Sequence, residues 1–256
     1  METTNSRIIH IGETGSTNGD AMRLALKGEE LPLWVIADRQ TAGRGRAGRS
    51  WISHPGNLFA SLGFCCAAPI EKAGQLSLVA GISMVDAIRS ITELAPDAGL
   101  RLKWPNDVLI GSGKTGGILV ESTTARGSPG FLAILGFGLN IATSPDDLGR
   151  AATALGRYGD APAPLDLLKA LDEQVYRWLA RWDSGSGFSA VRRAWIERAG
   201  PVGEAITVNT VQGPVSGTYQ GLSETGALCA EVDGVLREFS HGDVALGGVA
   251  AHDGAA

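Results

Sequence analysis

Hydrophobic and polar positions along the first 200 residues follow two different patterns, short apolar runs and helical spacing. Short apolar runs predict strands at 7–11, 33–37, 57–67, 100–109, 117–121 and 131–141. Apolar residues recur at helical spacing in 21–27, 70–94, 163–182 and 188–199, and the second stretch has the pattern of a long buried helix. Strands and helices interleaved in this way predict an α+β fold, a β-sheet with packed helices.

The pattern changes after Gly200 and Pro201. Only short β-type runs follow, at 205–211, 215–222, 227–232 and 235–239, with turn signals about every ten residues. This spacing predicts a small antiparallel β-barrel. We therefore expect a first domain at 1–200, a barrel at 201–248 and a frayed tail at 249–256.

Composition excludes several classes of protein. The chain has 22 basic and 27 acidic side chains, a net charge of −5, which argues against DNA or RNA as a partner. No apolar run reaches the roughly 20 residues that cross a bilayer, so we expect no membrane partner. Three cysteines give no disulfide framework, and we expect a cytoplasmic protein.

The densest chemical signal lies at residues 40–51, directly after a predicted strand. Three glycines and three arginines share this segment: Gly43, Arg44, Gly45, Arg46, Gly48 and Arg49. Glycines expose backbone N–H groups to anions, arginines add forked donors, and Trp51 offers a flat face for a base. The alternative is a solvated basic turn. No helix pattern begins at these glycines, which excludes the dinucleotide-binding fold.

A second signal lies at the end of a predicted strand. Lys103 can pair with an anion and Asp107 can hold Mg²⁺, while Lys114 follows seven residues later. The alternative is a hairpin with a charged tip. A third, weaker signal is the run 136–140, where Asn140 could bond a base or a ribose, although a tightly packed strand explains it as well.

The sequence shows no pattern typical of a histidine metal site or of a serine nucleophile. The four histidines show no metal-ligand spacing, and no Gly-x-Ser-x-Gly motif is present. No covalent nucleophile is therefore evident, and the candidate chemistry is the electrostatic binding of anions.

Together these motifs resemble those of the biotin protein ligases, also called biotin–[acetyl-CoA-carboxylase] ligases. The similarity spans about residues 8–246 and rests on segments 16–18, 40–51, 103–107, 114–121 and 136–140, with 152–155 matching more loosely. It implies a mixed sheet like that of class II synthetases, followed by an SH3-like barrel. Lipoate ligases share the catalytic fold but carry an Arg-Arg pair ahead of a Gly-rich run, which is missing here.

The resemblance implies a two-step reaction. Biotin's carboxylate attacks ATP, with Mg²⁺, to give biotinyl-5′-AMP, and a lysine of a biotin carboxyl carrier domain of acetyl-CoA carboxylase or a related carboxylase then takes the biotin. Bringing two anions within 4 Å costs about 4 kcal/mol per charge pair at intermediate dielectric. Cationic side chains are needed to offset that repulsion.

The resemblance also implies residue roles. Arg46 and Lys103 would be catalytic, and Asp107 would be the Mg²⁺ ligand. The biotin-binding residues would be Ser16, Thr17, Asn18, Gln40, Gly43, Arg44, Gly45, Arg46, Lys103, Gly116 and Gly117. The ATP-binding residues would be Arg46, Arg49, Trp51, Asn106, Lys114 and Asn140.

Two departures from the family matter. Only 15 residues precede Ser16, too few for the winged helix of the DNA-binding members, so we expect a ligase without DNA binding, as a monomer or homodimer. Ala47 stands where another arginine often lies. Two alternatives remain open, a lipoate or octanoate ligase and a non-catalytic module that binds partners through its barrel.

Overall fold

A seven-stranded sheet organises the first part of the chain. The computed structural model describes residues 6–124, 130–145 and 151–247. The strands are β1 (Arg7–Thr14), β2 (Leu33–Gln40), β3 (Leu58–Cys66), β4 (Leu100–Lys103), β5 (Asp107–Ile110), β6 (Gly113–Thr124) and β7 (Phe131–Leu139). Their order is β1-β2-β3-β7-β6-β5-β4, with β1 and β2 parallel and the other pairs antiparallel. The mixed sheet is confirmed.

Helices cover both faces of this sheet. They are α1 (Thr17–Leu26), α2 (Gln75–Ile91), α3 (Pro164–Trp182) and α4 (Phe188–Glu197). Trp34 and Ile36 of β2 share the main core with α2 and α3, whereas Leu33 and Val35 point to the opposite face and pack with α1. Burial on both faces explains why β2 is continuously apolar. None of the described helices is both long and apolar enough to cross a membrane.

A second, antiparallel sheet follows α4. Its strands are β8 (Ala205–Thr210), β9 (Gly213–Leu222), β10 (Leu228–Val232), β11 (Val235–Phe239) and β12 (Asp243–Leu246), in the order β11-β10-β9-β8-β12. In the described residues no pairing joins β11 to β12, so hydrogen bonds do not close the expected barrel. Its buried residues continue the main core. Arg101 and Glu204, 2.9 Å apart, also connect the two sheets.

Three sequence predictions of element bounds need correction, and one strand was missed. The single strand at 100–109 was wrong, because a turn at 104–106 divides it into β4 and β5. The helix at 70–94 is shorter, since a 3-10 turn at Ile70–Lys72 precedes α2. The strand at 117–121 is the middle of the longer β6, and β12 was not predicted. The tail at 249–256 lies outside the described residues.

A partly buried ion pair ties the helices to the edge of the sheet. Arg198, just after α4, makes two bonds of 2.8 and 3.0 Å to the carboxylate of Asp86 on α2. Trp178 of α3 donates its indole N–H to the same carboxylate at 2.9 Å. The carbonyl of Arg198 accepts the backbone N–H of Leu102 on β4 at 2.7 Å. One carboxylate therefore joins α2, α3 and the segment that borders β4.

We expect Asp86→Ala to lower the free energy of unfolding by about 2–4 kcal/mol, because the substitution leaves the largely buried guanidinium of Arg198 without its counter-ion. Urea titration measures this loss. The control is Glu13→Ala, whose partner Arg39 is 62% exposed, and which should cost less than about 1 kcal/mol. Equal losses in the two variants would contradict the structural role of Asp86.

Candidate active site

The floor of the site is a network of uncharged polar side chains where α1 begins. Ser16 is the N-cap of α1, which places Thr17 and Asn18 in its first turn, both buried. The backbone N–H and hydroxyl of Thr17 donate to Oε1 of Gln40 at 2.9 and 3.1 Å. Ser61 Oγ lies 2.8 Å from Thr17 Oγ1 and 2.6 Å from Asn18 Oδ1. These contacts fix several donors and acceptors on the floor of the pocket.

Two glycines on one face of β7 make room for this floor and for an indole ring. A Cβ on Gly136 would lie 2.1 Å from Asn18 Oδ1, and one on Gly138 would lie 2.6 Å from Cε2 of Trp51. Residues two apart in a strand share a face. The motif at 136–140 is therefore more than a packed strand, because it sets Asn18 and Trp51 side by side.

The arginine-glycine loop folds over the mouth of the pocket. The N–H of Gly45 bonds the carbonyl of Arg49 at 2.7 Å, around a short 3-10 turn at Arg46–Gly48. A Cβ on Gly43 would lie 2.6 Å from the carbonyl oxygen of Trp51. Glycine is needed there because the two arms of the loop pass so close together.

Carboxylates from two other strands bind the loop's arginines. Arg44 lies 3.1 Å from Glu121 of β6, which also accepts Asn18 Nδ2 at 2.7 Å. Arg46 and Arg49 both pair with Asp243 of β12, at 3.3 and 2.9 Å. The second sheet thus contacts two of the arginines that line the pocket.

A second charged cluster lies in the β4–β5 hairpin. Its turn sets Lys103 opposite Asp107, 3.0 Å apart, and Lys114 of β6 makes a short bond to the other carboxylate oxygen. Lys103 also donates to the carbonyl of Val244 at 2.8 Å. Burial raises the pKa of Asp107, but Lys114 and Lys103 together outweigh burial and hold that pKa below its ordinary value. The carboxylate is therefore ionised at neutral pH.

The pocket has an open mouth, and it spans about 610 Å³ of space that includes open solvent. Most of the predicted site residues line it: Ser16, Thr17, Asn18, Gln40, Arg44, Gly45, Arg46, Arg49, Trp51, Asn106, Lys114 and Gly117. Lys103, Asp107 and Gly43 lie beside it. Gly116 faces the other way, since its Cβ would point at Met84 and Leu139 of the core.

A smaller pocket lies on the far side of the Trp51 ring, next to Asn140. Nδ2 of Asn140 donates to the carbonyl of Thr153 at 3.1 Å, and the N–H of Thr153 bonds the carbonyl of Lys114 at 3.0 Å. The indole N–H of Trp51 is buried without a hydrogen-bond partner among the described residues. A buried donor of this kind suits an acceptor on a ligand.

Sequence reasoning missed three residues of the site. Ser61 is a polar residue in an apolar strand, and that contrast was a usable signal. Glu121 fell inside a matched segment but received no role. Asp243 carried no local signal, because it reaches Arg46 across 197 positions of sequence.

The donor set does not fit a magnesium ion held by the protein alone. Both oxygens of Asp107 face lysine ammonium groups. Residues 6–124, 130–145 and 151–247 contain no group of three His, Cys, Asp or Glu side chains that could hold a metal ion. A hard cation prefers uncompensated oxygen ligands. Asp107 alone therefore supplies no magnesium site.

Comparison with known proteins gives consistent matches. Residues 14–140 match the biotin/lipoate A/B protein ligase family, and residues 202–247 match the biotin protein ligase C-terminal domain. Biotin–[acetyl-CoA-carboxylase] ligases of Paracoccus denitrificans and Mycobacterium tuberculosis are 37% and 32% identical, over 85% and 91% of this chain and 91% and 86% of their own. A biotin protein ligase of Aquifex aeolicus, solved with biotin and ATP, superposes with a TM-score of 0.77 at 28% identity, covering 94% of this chain and 98% of its own.

We expect the carboxyl group of Asp107 to titrate below its ordinary pKa, measured by carbon NMR of the labelled side chain. The stabilisation from this lowered pKa is complete above the unfolded value of about 3.9 and is lost as the pH falls through the folded value. In Lys114→Met only one lysine opposes burial, so the pKa rises. An ordinary or raised pKa in the unmodified protein would contradict the proposed cluster.

Proposed function

The chain belongs to the biotin/lipoate A/B protein ligase family, and on that premise we propose how its own residues carry out the reaction. It is a ligase that activates biotin with ATP to biotinyl-5′-AMP and transfers the biotinyl group to a carboxylase. The observation that carries the residue assignment is the pocket itself, an uncharged polar floor below a cationic mouth.

We propose that biotin binds with its ureido ring on the floor. The ring carries N–H donors and a carbonyl acceptor, which match the amide and hydroxyl groups of Gln40, Thr17 and Asn18. Its carboxylate then points toward the arginine-glycine loop. A lipoyl or octanoyl chain has no ureido group and would leave these polar groups unpaired, at a cost of about 1–3 kcal/mol each.

The nucleotide is proposed to bind around Trp51. The adenine stacks against the indole near Asn140, while Arg46, Arg49 and Lys114 face the phosphates. Asn106 positions Arg46, since its Oδ1 lies 3.5 Å from Nη1 of that arginine. Because the described residues offer no complete magnesium site, we propose that Mg²⁺ arrives bound to the triphosphate.

The proposed reaction has two chemical steps, and in each one a bond forms while another breaks. In the first, a biotin carboxylate oxygen bonds to the α-phosphorus and the bond to the departing pyrophosphate breaks. In the second, an acceptor lysine amine bonds to the acyl carbon, AMP leaves with the bonding electrons, and the amine loses a proton. Arg46 and Lys103 are proposed to offset the negative charge that accumulates at the α-phosphate.

We propose a biotin carboxyl carrier domain as the acceptor. A net charge of −5 disfavours nucleic acid as a further partner. The cytoplasm stays the expected location, consistent with three free cysteines among the described residues.

ATP–pyrophosphate exchange tests the first step. With Mg²⁺ and biotin we expect radiolabel from pyrophosphate to enter ATP, and with lipoate or with no acid we expect none. Exchange with lipoate would replace the proposed substrate. No exchange from folded protein would contradict the ligase assignment and favour a binding module.

We expect Arg46→Gly to slow adenylate formation by about 10²–10³-fold, as for the loss of one preorganised donor. The variant should also release biotinyl-5′-AMP, which then labels lysines of bystander proteins. Single-turnover assays and streptavidin blots measure the two effects. Arg7→Gly, at the start of strand β1, is the matched control, because Arg7 is also a partly exposed arginine paired with a carboxylate, that of Glu29. Full adenylation by Arg46→Gly would contradict the proposed catalytic role.

A further inference from the structure

Strand β12 of the second sheet and the residue before it place one carboxylate and two backbone carbonyls against the cations of the site. The carboxylate of Asp243 pairs with Arg46 and Arg49, and the carbonyl of Gly242 lies 3.5 Å from both terminal nitrogens of Arg46. One residue further along, the carbonyl of Val244 accepts Lys103.

The Asp243 carboxylate contacts the same two arginines that are proposed to bind the triphosphate. It bridges two arginines through both of its oxygens, as a phosphate does, and these are the arginines assigned to the triphosphate. Asp243 is 39% exposed and the arginines 31% and 45%, so water and solutes reach all three side chains. The contact is therefore an exchangeable ion pair rather than a buried structural one.

We propose that Asp243 is an internal counter-ion that closes the arginine-glycine loop onto β12 in the absence of nucleotide and competes with the triphosphate for Arg46 and Arg49. The loop thus has a closed state held by Asp243 and an open state in which the arginines are free for phosphate. The nucleotide's apparent dissociation constant equals its intrinsic value divided by the open fraction. Asp243 therefore sets the ATP affinity of the site. This claim about affinity rests on the proposed function, whereas the closure of the loop by Asp243 does not depend on it.

Asp243→Asn removes the charge and keeps the size of the side chain. Without ligands, we expect trypsin to cleave after Arg44, Arg46 and Arg49 about threefold to tenfold faster, because cleavage follows the open population and two half-exposed ion pairs shift it by such a factor. Peptide mapping assigns the cleaved bonds. High salt screens the ion pairs and should bring the unmodified protein close to the variant.

The same factor should appear in nucleotide binding. With biotin absent, calorimetry should give a dissociation constant for ATP with Mg²⁺ that is lower in Asp243→Asn by the factor seen with trypsin. Asp243→Glu retains the carboxylate and should restore slow cleavage. Glu231→Gln removes an exposed charge from β10 of the same sheet and should change neither measurement.

Two results would overturn the proposal. Unchanged cleavage in Asp243→Asn would show that the ion pairs do not hold the loop. Faster cleavage with weaker ATP binding would show that Asp243 preorganises the arginines for the nucleotide instead of competing with it. If the unmodified protein lacks biotin-dependent pyrophosphate exchange, the proposed function fails separately, and the cleavage comparison still decides loop closure.

Discussion

Mutual repulsion among five cationic side chains is the constraint on which the site depends. They converge on one pocket, where three carboxylates of the described residues pair with them. The chain as a whole carries −5. A local positive excess in an acidic protein focuses the electric field and attracts anionic substrates. The cations are Arg44, Arg46, Arg49, Lys103 and Lys114.

The fold meets this constraint by supplying each counter-ion from a different strand. Glu121 comes from β6, Asp107 from β5 and Asp243 from β12. The antiparallel pairing of β4, β5 and β6 holds the lysine cluster rigidly, whereas the arginines belong to a loop whose partners are partly exposed. This division suits a reaction in which one set of charges stays in place while the other set is released to bind the nucleotide.

Local patterns in the sequence revealed the parts of the site that are contiguous in the chain. The arginine-glycine loop was predictable because its residue types act together within twelve positions. The side of a strand on which each residue lies was not predictable from the sequence. Gly116 and Gly117 differ by one position, yet only Gly117 faces the pocket, because strand register decides the side. Asp243 was missed because only the packing of the second sheet brings it close to Arg46.

The most direct test of the account is biotin transfer to an acceptor. Purified chain, ATP, Mg²⁺ and biotin are mixed with a biotin carboxyl carrier domain, and the intact mass of that domain is followed over time. We expect a gain of one biotinyl group on one lysine, absent without ATP and absent when lipoate replaces biotin. A carrier domain that stays unmodified beside folded chain, or that gains a lipoyl group instead, would contradict it.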